Sequence, residues 1–146
     1  MKHLLFSIVM LLCSVGAFAQ VDVAVESVSV TPSSGYKGES FFVNTIVSNV
    51  GTVDVTDYIV DYYVSKSSSF NMNNATHVGT SFGSSLSVGN KVSQSFIFIF
   101  PTNLSNPSST TWYVWAKITN RGIIESQDKE ANNTKAGTVM IYGSSN

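Results

Sequence analysis

The chain has 146 residues, of which 43% are hydrophobic and 12% are charged, and its formal net charge is −1. Nucleic acid and anionic membranes are disfavoured as partners, because both need a concentrated basic face and the lysines here are scattered singly. Serine, threonine, asparagine, valine and the aromatic residues are abundant, a composition typical of β-strands joined by polar turns.

The N-terminus has the three-part layout of a secretory signal. Lys2 and His3 form a short basic start, residues 4–15 are apolar, and Ala17-Phe18-Ala19 is a small-x-small cleavage site. The apolar run is shorter than the roughly 20 residues that span a bilayer, and no second run follows. We therefore predict cleavage of residues 1–19, no membrane span, and a secreted bacterial protein in the periplasm, at the cell surface or outside the cell.

The only cysteine, Cys13, lies in this signal, and the bulky residues before it do not fit a lipoprotein signal. Removing 19 of 146 residues leaves 127, with seven basic against nine acidic side chains and a net charge of −2. That length is typical of one domain, here 20–146, which can bury roughly two-thirds of the surface of its unfolded chain. The domain has to fold without a disulfide although it is exported.

The mature chain alternates apolar and polar residues over short segments separated by turn-rich sequence, the period of β-strands. Strands are predicted over residues 21–30, 40–50, 58–65, 78–82, 91–100, 111–118 and 135–142. A phase shift at Glu26 and Ser27 predicts a bulge in the first strand. No segment has helical periodicity. The pattern predicts an all-β domain, a seven-stranded immunoglobulin-like antiparallel β-sandwich with no disulfide.

Four short motifs follow one another in the order of a known family. The segment from Ile118 to Asn133 reads ITNRGIIESQDKEANN, and it is preceded by Asn49-Val50-Gly51-Thr52, Tyr63-Val64-Ser65 and Leu86-Ser87-Val88-Gly89. These motifs resemble the CARDB family, the cell-adhesion-related domains of bacteria, whose last hairpin carries a Glu-Ser pair and then Glu-x-Asn-Asn. The resemblance implies an immunoglobulin-like sandwich related to fibronectin type III domains, with a role in adhesion or scaffolding and no particular ligand.

The chain departs from this family in its loops. Many members have acidic residues after the third strand and an Asp at the start of the final turn. This chain has Ser67, Asn71, Asn73, Asn74 and Thr119 at those places. Because hard cations need carboxylate charge to repay their dehydration, no calcium site is predicted there, and no metal or other cofactor is predicted elsewhere.

Residue types used in catalysis are present but poorly placed. His77 is the only histidine of the mature chain, and its polar surroundings favour a solvated loop histidine over the base of a serine triad. Glycoside hydrolysis needs two carboxylates, and one of Asp54, Asp57 and Asp61 could pair with Glu125 or Glu130. These acidic residues are more simply explained as turn and surface groups. We therefore predict no catalytic residues and no enzymatic activity.

The densest polar cluster is the predicted hairpin end with Glu125, Glu130, Asn132 and Asn133. A metal site is one interpretation. The other, which we favour, is that the asparagine side chains bind their own backbone in a tight turn. The segment from Asp54 to Asp57 is interpreted in the same way, as a turn before the third strand.

The strand 111–118 carries large side chains on both faces. Trp112, Val114, Ala116 and Ile118 make a good core face, so the second face with Tyr113, Trp115 and Lys117 needs its own explanation. Exposed rings could bind a glycan or a protein, assisted by Tyr63 and Asp61 on a strand expected to be a neighbour. Alternatively, a loop or the N-terminal segment covers them. The predicted ligand-binding residues are Tyr113, Trp115, Lys117, Tyr63 and Asp61.

The run from Phe96 to Phe100 is apolar on both faces, so either a neighbouring element or another copy of the chain covers its outer face. Two functions follow from these features. The first is a non-enzymatic secreted or cell-surface binding and adhesion module that recognises a glycan or protein partner. The alternative is a structural subunit that self-assembles, through Phe96–Phe100, or scaffolds a larger cell-envelope complex.

Overall fold

The computed structural model describes residues 19–106, 108–119 and 130–143. The predicted signal up to residue 18, with Cys13, and the hairpin residue Glu125 lie outside the described residues. Single turns of 3-10 helix cover Met72–Asn74 and Glu130–Asn132, and no α-helix occurs in the described part. The strands are β1 (Val23–Thr31), β2 (Ser34–Gly35), β3 (Ser40–Asn49), β4 (Tyr58–Ser65), β5 (Thr76–Gly83), β6 (Lys91–Ile99), β7 (Thr110–Thr119) and β8 (Thr134–Ile141).

The strands form two sheets. A three-stranded sheet has the order β1-β3-β6, and a five-stranded sheet has the order β2-β8-β7-β4-β5. All neighbours are antiparallel except β2 and β8, which are parallel. The all-β prediction is confirmed, but the predicted number of strands is one short. The missed strand β2 has two residues, Ser34 and Gly35, and lies in a segment predicted as a turn, since two residues cannot show an alternation.

The predicted bulge in β1 is confirmed. The pairing of β1 with β3 shifts by one residue between Val25 and Ser27. Because strand side chains point alternately to opposite faces, the extra residue lets Val23 and Val25 share the core side with Val28 and Val30.

The core lies between the two sheets. The inward residues of β7 are the predicted Trp112, Val114, Ala116 and Ile118, and all of them are buried. The rings of Tyr62 on β4 and Phe96 on β6 stack across the core, with centroids 4.6 Å apart and planes 2° from parallel. Gly79 on β5 is required here, because a Cβ atom at that position would collide with the Phe96 ring.

Polar atoms at the core aromatic rings have hydrogen-bond partners. Trp112 Nε1 donates to Asn106 Oδ1 at 3.4 Å, and Asn106 Nδ2 donates to the carbonyl oxygen of Ile141 at 3.0 Å. The Tyr58 hydroxyl accepts from Gln94 Nε2 at 3.0 Å. The core therefore buries its large amphipathic rings without stranding these polar atoms.

Candidate ligand-binding face

The predicted site residues share the outer face of the five-stranded sheet. Strands β4 and β7 are neighbours, as expected, and their register places Tyr63 opposite Trp115 and Asp61 opposite Lys117. Tyr113 lies two residues before Trp115 on the same face, because strand side chains alternate. Residues that are far apart in the sequence are thus brought into one patch.

The expectation of an exposed aromatic strip is wrong for its central residue. Trp115 is only 9% exposed, and Tyr63 is equally buried. The segment 66–75, which we call the cover loop, folds back from β4 and places Phe70 against Trp115, with ring centroids 5.5 Å apart. The alternative given by the sequence, that a loop covers these rings, is the one the structure adopts.

Five rings form what we call the aromatic cluster: Tyr63, Phe70, His77, Tyr113 and Trp115. Tyr63 contacts the edges of both Phe70 and His77, at centroid distances of 5.4 and 5.1 Å. Tyr113 lies 6.2 Å from Trp115 and stays half-buried. Phe70 was not among the predicted site residues, because it is a single aromatic residue in a serine- and asparagine-rich loop.

The indole nitrogen of Trp115 differs from that of Trp112 in the core. Its Nε1 is buried, and it has no hydrogen-bond partner among the described residues. A tryptophan nitrogen can only donate, so any partner would have to supply an acceptor.

The charged residues beside the cluster do not pair with each other. Asp61 accepts hydrogen bonds from Thr80 Oγ1 at 2.7 Å and Thr119 Oγ1 at 3.4 Å, and its Oδ1 lies 3.4 Å from His77 Nε2. Lys117 lies opposite Asp61, but its Nζ contacts Met72 Sδ of the cover loop at 3.6 Å. A thioether is a weak acceptor, so this contact leaves most of the hydrogen-bonding capacity of Lys117 unused.

Two buried tyrosines have raised pKa values. Burial raises the pKa of Tyr63, and the negative charge of Asp61 raises it further. Burial also raises the pKa of Tyr58 on the core side, with a smaller contribution from Tyr62, while the hydrogen bond from Gln94 lowers it. Both hydroxyl groups therefore stay protonated at neutral pH.

The geometry around His77 does not form a catalytic triad. His77 lies in β5, not in a loop as predicted, and its Nε2 faces both Asp61 and Thr80, the latter at 3.3 Å. A triad needs the acid and the nucleophile on opposite ring nitrogens of the histidine. These contacts instead tie neighbouring strands together.

The acidic residues before β4 have structural partners. Asp54 Oδ1 accepts from the backbone nitrogen of Val88 at 2.9 Å, and Asp57 Oδ1 accepts from Thr56 Oγ1 at 3.3 Å. Within residues 19–106, 108–119 and 130–143, no three His, Cys, Asp or Glu side chains lie together as a metal site would require.

The asparagines of the predicted hairpin hold the ends of strands. Asn132 Nδ2 donates to Asp22 Oδ1 at 2.8 Å, and the Asn133 carbonyl oxygen accepts from the backbone nitrogen of Ile118 at 2.8 Å. The Asn132 side chain thus reaches the segment before β1, whereas the sequence predicted a bond within the turn.

The outer face of the three-stranded sheet has a different character. Phe98 and Phe100 are in the core, while Ile97 and Ile99 are each 65% exposed and Phe42 is 41% exposed. We call these three exposed residues the Ile97 patch, because Phe42 on β3 lies opposite Ile97 on β6. Among the described strands, β6 pairs with β3 alone, so its second edge is open.

No helix among the described residues is long and apolar enough to cross a membrane. The chain matches no protein-family model, and no curated protein sequence matches it.

Solved structures show that the chain has the fold of CARDB domains. The solution structure of the CARDB domain of a Pyrococcus furiosus protein is 17% identical, covers 86% of this chain and 98% of its own, and gives a TM-score of 0.58. The crystal structure of the same domain, in complex with di-metal ions, is 16% identical, with coverages of 84% and 89% and a TM-score of 0.55.

Two further solved structures show where this fold occurs. A domain of a protein assigned to the cell surface of Methanosarcina acetivorans is 18% identical, with coverages of 87% and 95% and a TM-score of 0.54. A β-glucosidase from Erythrobacter marinus is 14% identical with a TM-score of 0.53, and the match covers 83% of this chain but 15% of the enzyme. The likeness to that enzyme therefore concerns one small part of it.

Proposed function

We propose that this chain is a secreted, non-enzymatic binding module of a bacterial cell surface that holds a glycan or protein partner against the aromatic cluster. The observation that carries the proposal is the convergence of Tyr63, Asp61, Trp115 and Lys117 from two strands onto one sheet face. The proposal includes removal of residues 1–19 during export, so that the mature chain begins at Gln20.

The fold supports a display role. Without the short β2, the strand order is β1-β3-β6 in one sheet and β8-β7-β4-β5 in the other. We propose that these seven strands are an immunoglobulin-like sandwich of the fibronectin type III kind, in which the strands provide a rigid frame. The likeness to a domain assigned to the cell surface of Methanosarcina acetivorans supports an extracytoplasmic site of action.

The physical basis of binding is the rigidity of the rings. Aromatic side chains on a sheet offer a large contact area and lose little conformational entropy when a partner binds. Tyr113 is half-buried on a strand paired on both sides, so its ring is presented in a fixed position. Asp61 and Lys117 add an acceptor and a donor at the border of the aromatic cluster.

The test is a binding assay on arrays of immobilised glycans and of purified cell-envelope proteins, using the labelled chain from Gln20 onward. Tyr113→Ala and Lys117→Ala should each weaken retention on the target at least about tenfold, the scale of an interface hot spot. Val88→Ser, at an exposed position in the turn between β5 and β6, is the control and should leave retention unchanged. If both site variants were retained on the target as strongly as the parent, the proposal would be refuted.

A second function, self-assembly, is favoured by the Ile97 patch. Phe100 exchanges backbone hydrogen bonds with Gly38 and Glu39, on the side of β3. In an antiparallel ladder the alternate residues point their backbone groups the other way, so those of Ile97 and Ile99 face the open edge of β6. A second copy could add its own β6 there and cover exposed side chains as well as backbone groups.

Solution mass tests this second function. Self-assembly through β6 predicts a mass that rises with concentration in sedimentation equilibrium, and Ile97→Lys should abolish the rise because it buries a charge in the contact. Tyr113→Ala should have no effect on mass. A monomer at all concentrations would leave the binding module as the single proposed function.

A further inference from the structure

Trp115 carries a hydrogen-bond donor that the fold leaves unused. The side chain is 9% exposed, and its Nε1 has no acceptor among the described residues. Buried donors in native proteins are almost always paired, because an unpaired one loses its bond to water and gains nothing in return. Trp112, three residues earlier, follows that rule by donating to Asn106.

Lys117, on the same strand and face, is a second donor without a strong acceptor. It is half-buried, its Nζ contacts Met72 Sδ at 3.6 Å, and it forms no ion pair with Asp61 in the described part of the chain. The cover-loop side chains that contact Trp115 and Lys117 are thus Phe70 and Met72. Neither of them offers an oxygen acceptor.

The cover loop is built so that it can leave the face. Most of its described hydrogen bonds stay within the loop or at its start: Ser67 N donates to Ser65 Oγ at the end of β4 at 2.9 Å, Ser69 N donates to Ser67 Oγ at 3.1 Å, Asn73 N donates to Asn71 Oδ1 at 2.9 Å, and Asn74 N donates to the Asn71 carbonyl at 3.0 Å. The one described bond from the sheet is the weak contact of Lys117 Nζ with Met72 Sδ. Phe70 reaches the sheet through ring contacts alone. Lys66 at the loop start lies with its Nζ 5.1 Å from the centroid of the Trp112 ring. Displacing residues 67–75 would therefore break the ring contacts of Phe70 and the weak Lys117–Met72 contact, and would keep the hydrogen bonds within the loop.

We infer that the indole N–H of Trp115 and the ammonium of Lys117 are donors for the oxygen atoms of a carbohydrate, which binds the outer face by displacing Phe70 and Met72. This inference rests on the proposed function and names its ligand class. The sugar ring would lie on the aromatic cluster, where Trp115 provides the apolar surface, while its hydroxyl or carboxylate oxygens accept from the two donors.

The surroundings of the cluster favour a carbohydrate over a protein. The side chains directly opposite Asp61, Tyr113, Trp115 and Lys117 on β5 and β8 are polar or small: Thr80, Thr134, Ala136 and Thr138. The exposed apolar residues Phe82 and Met140 lie two positions farther along these strands. Protein hot spots are sealed by apolar contacts that exclude water, whereas a sugar needs donors and acceptors around its rim. The aliphatic Ile97 patch on the opposite sheet is the surface that suits a protein.

The first test removes only the donor. Replacing Trp115 by β-(3-benzothienyl)alanine, which has sulfur in place of the indole N–H, should leave Tm unchanged or raise it, because no partner is lost. The same replacement at Trp112 should lower Tm, because Asn106 loses its donor. A fall at position 115 as large as that at position 112 would show that the Trp115 N–H already has a partner, and the inference would be wrong.

The second test measures binding. The chain is applied to an array of immobilised neutral and acidic oligosaccharides, and the retained oligosaccharide is titrated by calorimetry. We expect at least a tenfold loss of affinity for the benzothienyl isostere at 115 and for Lys117→Met, with the control Val88→Ser unchanged. If these two variants bind as tightly as the parent while Tyr113→Ala does not, the donor role is refuted and the proposed function stands.

The remaining outcomes also decide between the two proposals. In one of them, the chain is retained on a cell-envelope protein and on no oligosaccharide, with retention lost in Tyr113→Ala. That result would overturn the carbohydrate assignment and would support the proposed binding module. Retention of neither class of ligand overturns both.

Discussion

The two faces of the five-stranded sheet bury similar residues in different ways. Trp112 on the inner face and Trp115 on the outer face are 5% and 9% exposed, so solvent exposure hardly separates them. Their donors do separate them, since Trp112 Nε1 bonds Asn106 and Trp115 Nε1 bonds nothing in the described chain. The inner face is a core, and the outer face, which we propose as the binding site, is covered by a loop.

Similar burial of the two tryptophans hides a difference in what encloses them. A core ring is enclosed by strands whose own pairing would have to break before it could be released. Trp115 is contacted on its outer side by Phe70, which belongs to a loop whose described hydrogen bonds are mostly internal, with one weak bond to Lys117 of the sheet. For these two tryptophans, the hydrogen bonding of Nε1 therefore separates the two faces more clearly than exposure does.

The largest expected effect comes from truncating the two tryptophans. Trp112→Ala should cost about 3–5 kcal/mol of unfolding free energy, because it leaves a cavity among fixed strands. Trp115→Ala should cost about 2 kcal/mol, since the cover loop can collapse into the space and no hydrogen bond is lost. Denaturant unfolding measures both. Equal losses would mean that the outer face is as much a core as the inner one.

The second prediction concerns the inner face alone. Gly79→Ala should lower the unfolding free energy by about 1–3 kcal/mol, because the new methyl group displaces the Phe96 ring from its stack on Tyr62. The same change in a Phe96→Ala background should cost less, because the collision with the ring is gone and only the backbone strain at the positive φ of Gly79 remains. Urea unfolding of the two single variants and the double variant completes a double-mutant cycle. Additive changes in unfolding free energy would contradict this interpretation.

Alkaline pH should affect both faces, through one tyrosine on each. The pKa of Tyr58 and that of Tyr63 are raised in the folded state, mainly by burial. Their contribution to stability is complete below the ordinary tyrosine pKa of about 10 and is lost as pH rises through the raised values. Stability above pH ~10 should therefore fall less steeply in Tyr58→Phe and in Tyr63→Phe than in the parent. If the stability of all three proteins fell equally steeply with pH, the raised pKa values of Tyr58 and Tyr63 would be contradicted.

The smallest stability effect is expected at the cover itself. Phe70→Ala should cost about 1 kcal/mol, because a partly buried ring is removed from the surface of the sheet. Acrylamide should then quench Trp115 fluorescence more strongly. In a Trp115→Phe protein, Trp112 is the remaining tryptophan. Adding Phe70→Ala to that protein should not increase the quenching of its fluorescence by acrylamide. An unchanged quenching constant in Phe70→Ala would show that Phe70 is not the cover.

The strands and the core face could be predicted because their causes are local. Alternation of residue type requires only neighbours in the sequence, and it placed Trp112, Val114, Ala116 and Ile118 inside and the bulge at Glu26. The proximity of β4 to β7, and with it that of Asp61 to Lys117, followed from the expected sandwich order.

The rest depends on contacts between distant residues, which no local pattern encodes. Phe70 covers Trp115 across 45 positions of the chain, from a loop whose composition predicts only a polar connection. Asn106 is the acceptor for Trp112 because a turn folds back on its own strand. Strand β2 exists because β8 offers an edge to two residues that alone have no strand signal.

The internal hydrogen bonding of the cover loop has a consequence for evolution and for engineering. A segment that satisfies its own polar groups and touches the sheet through side chains can be exchanged without disturbing the strands beneath it. Recombination that replaces residues 66–75 could give the domain a new binding specificity while its strands stay unchanged. Antibodies diversify their loops on a constant frame in the same way. Grafting randomised decapeptides at this place would turn the domain into a disulfide-independent display scaffold.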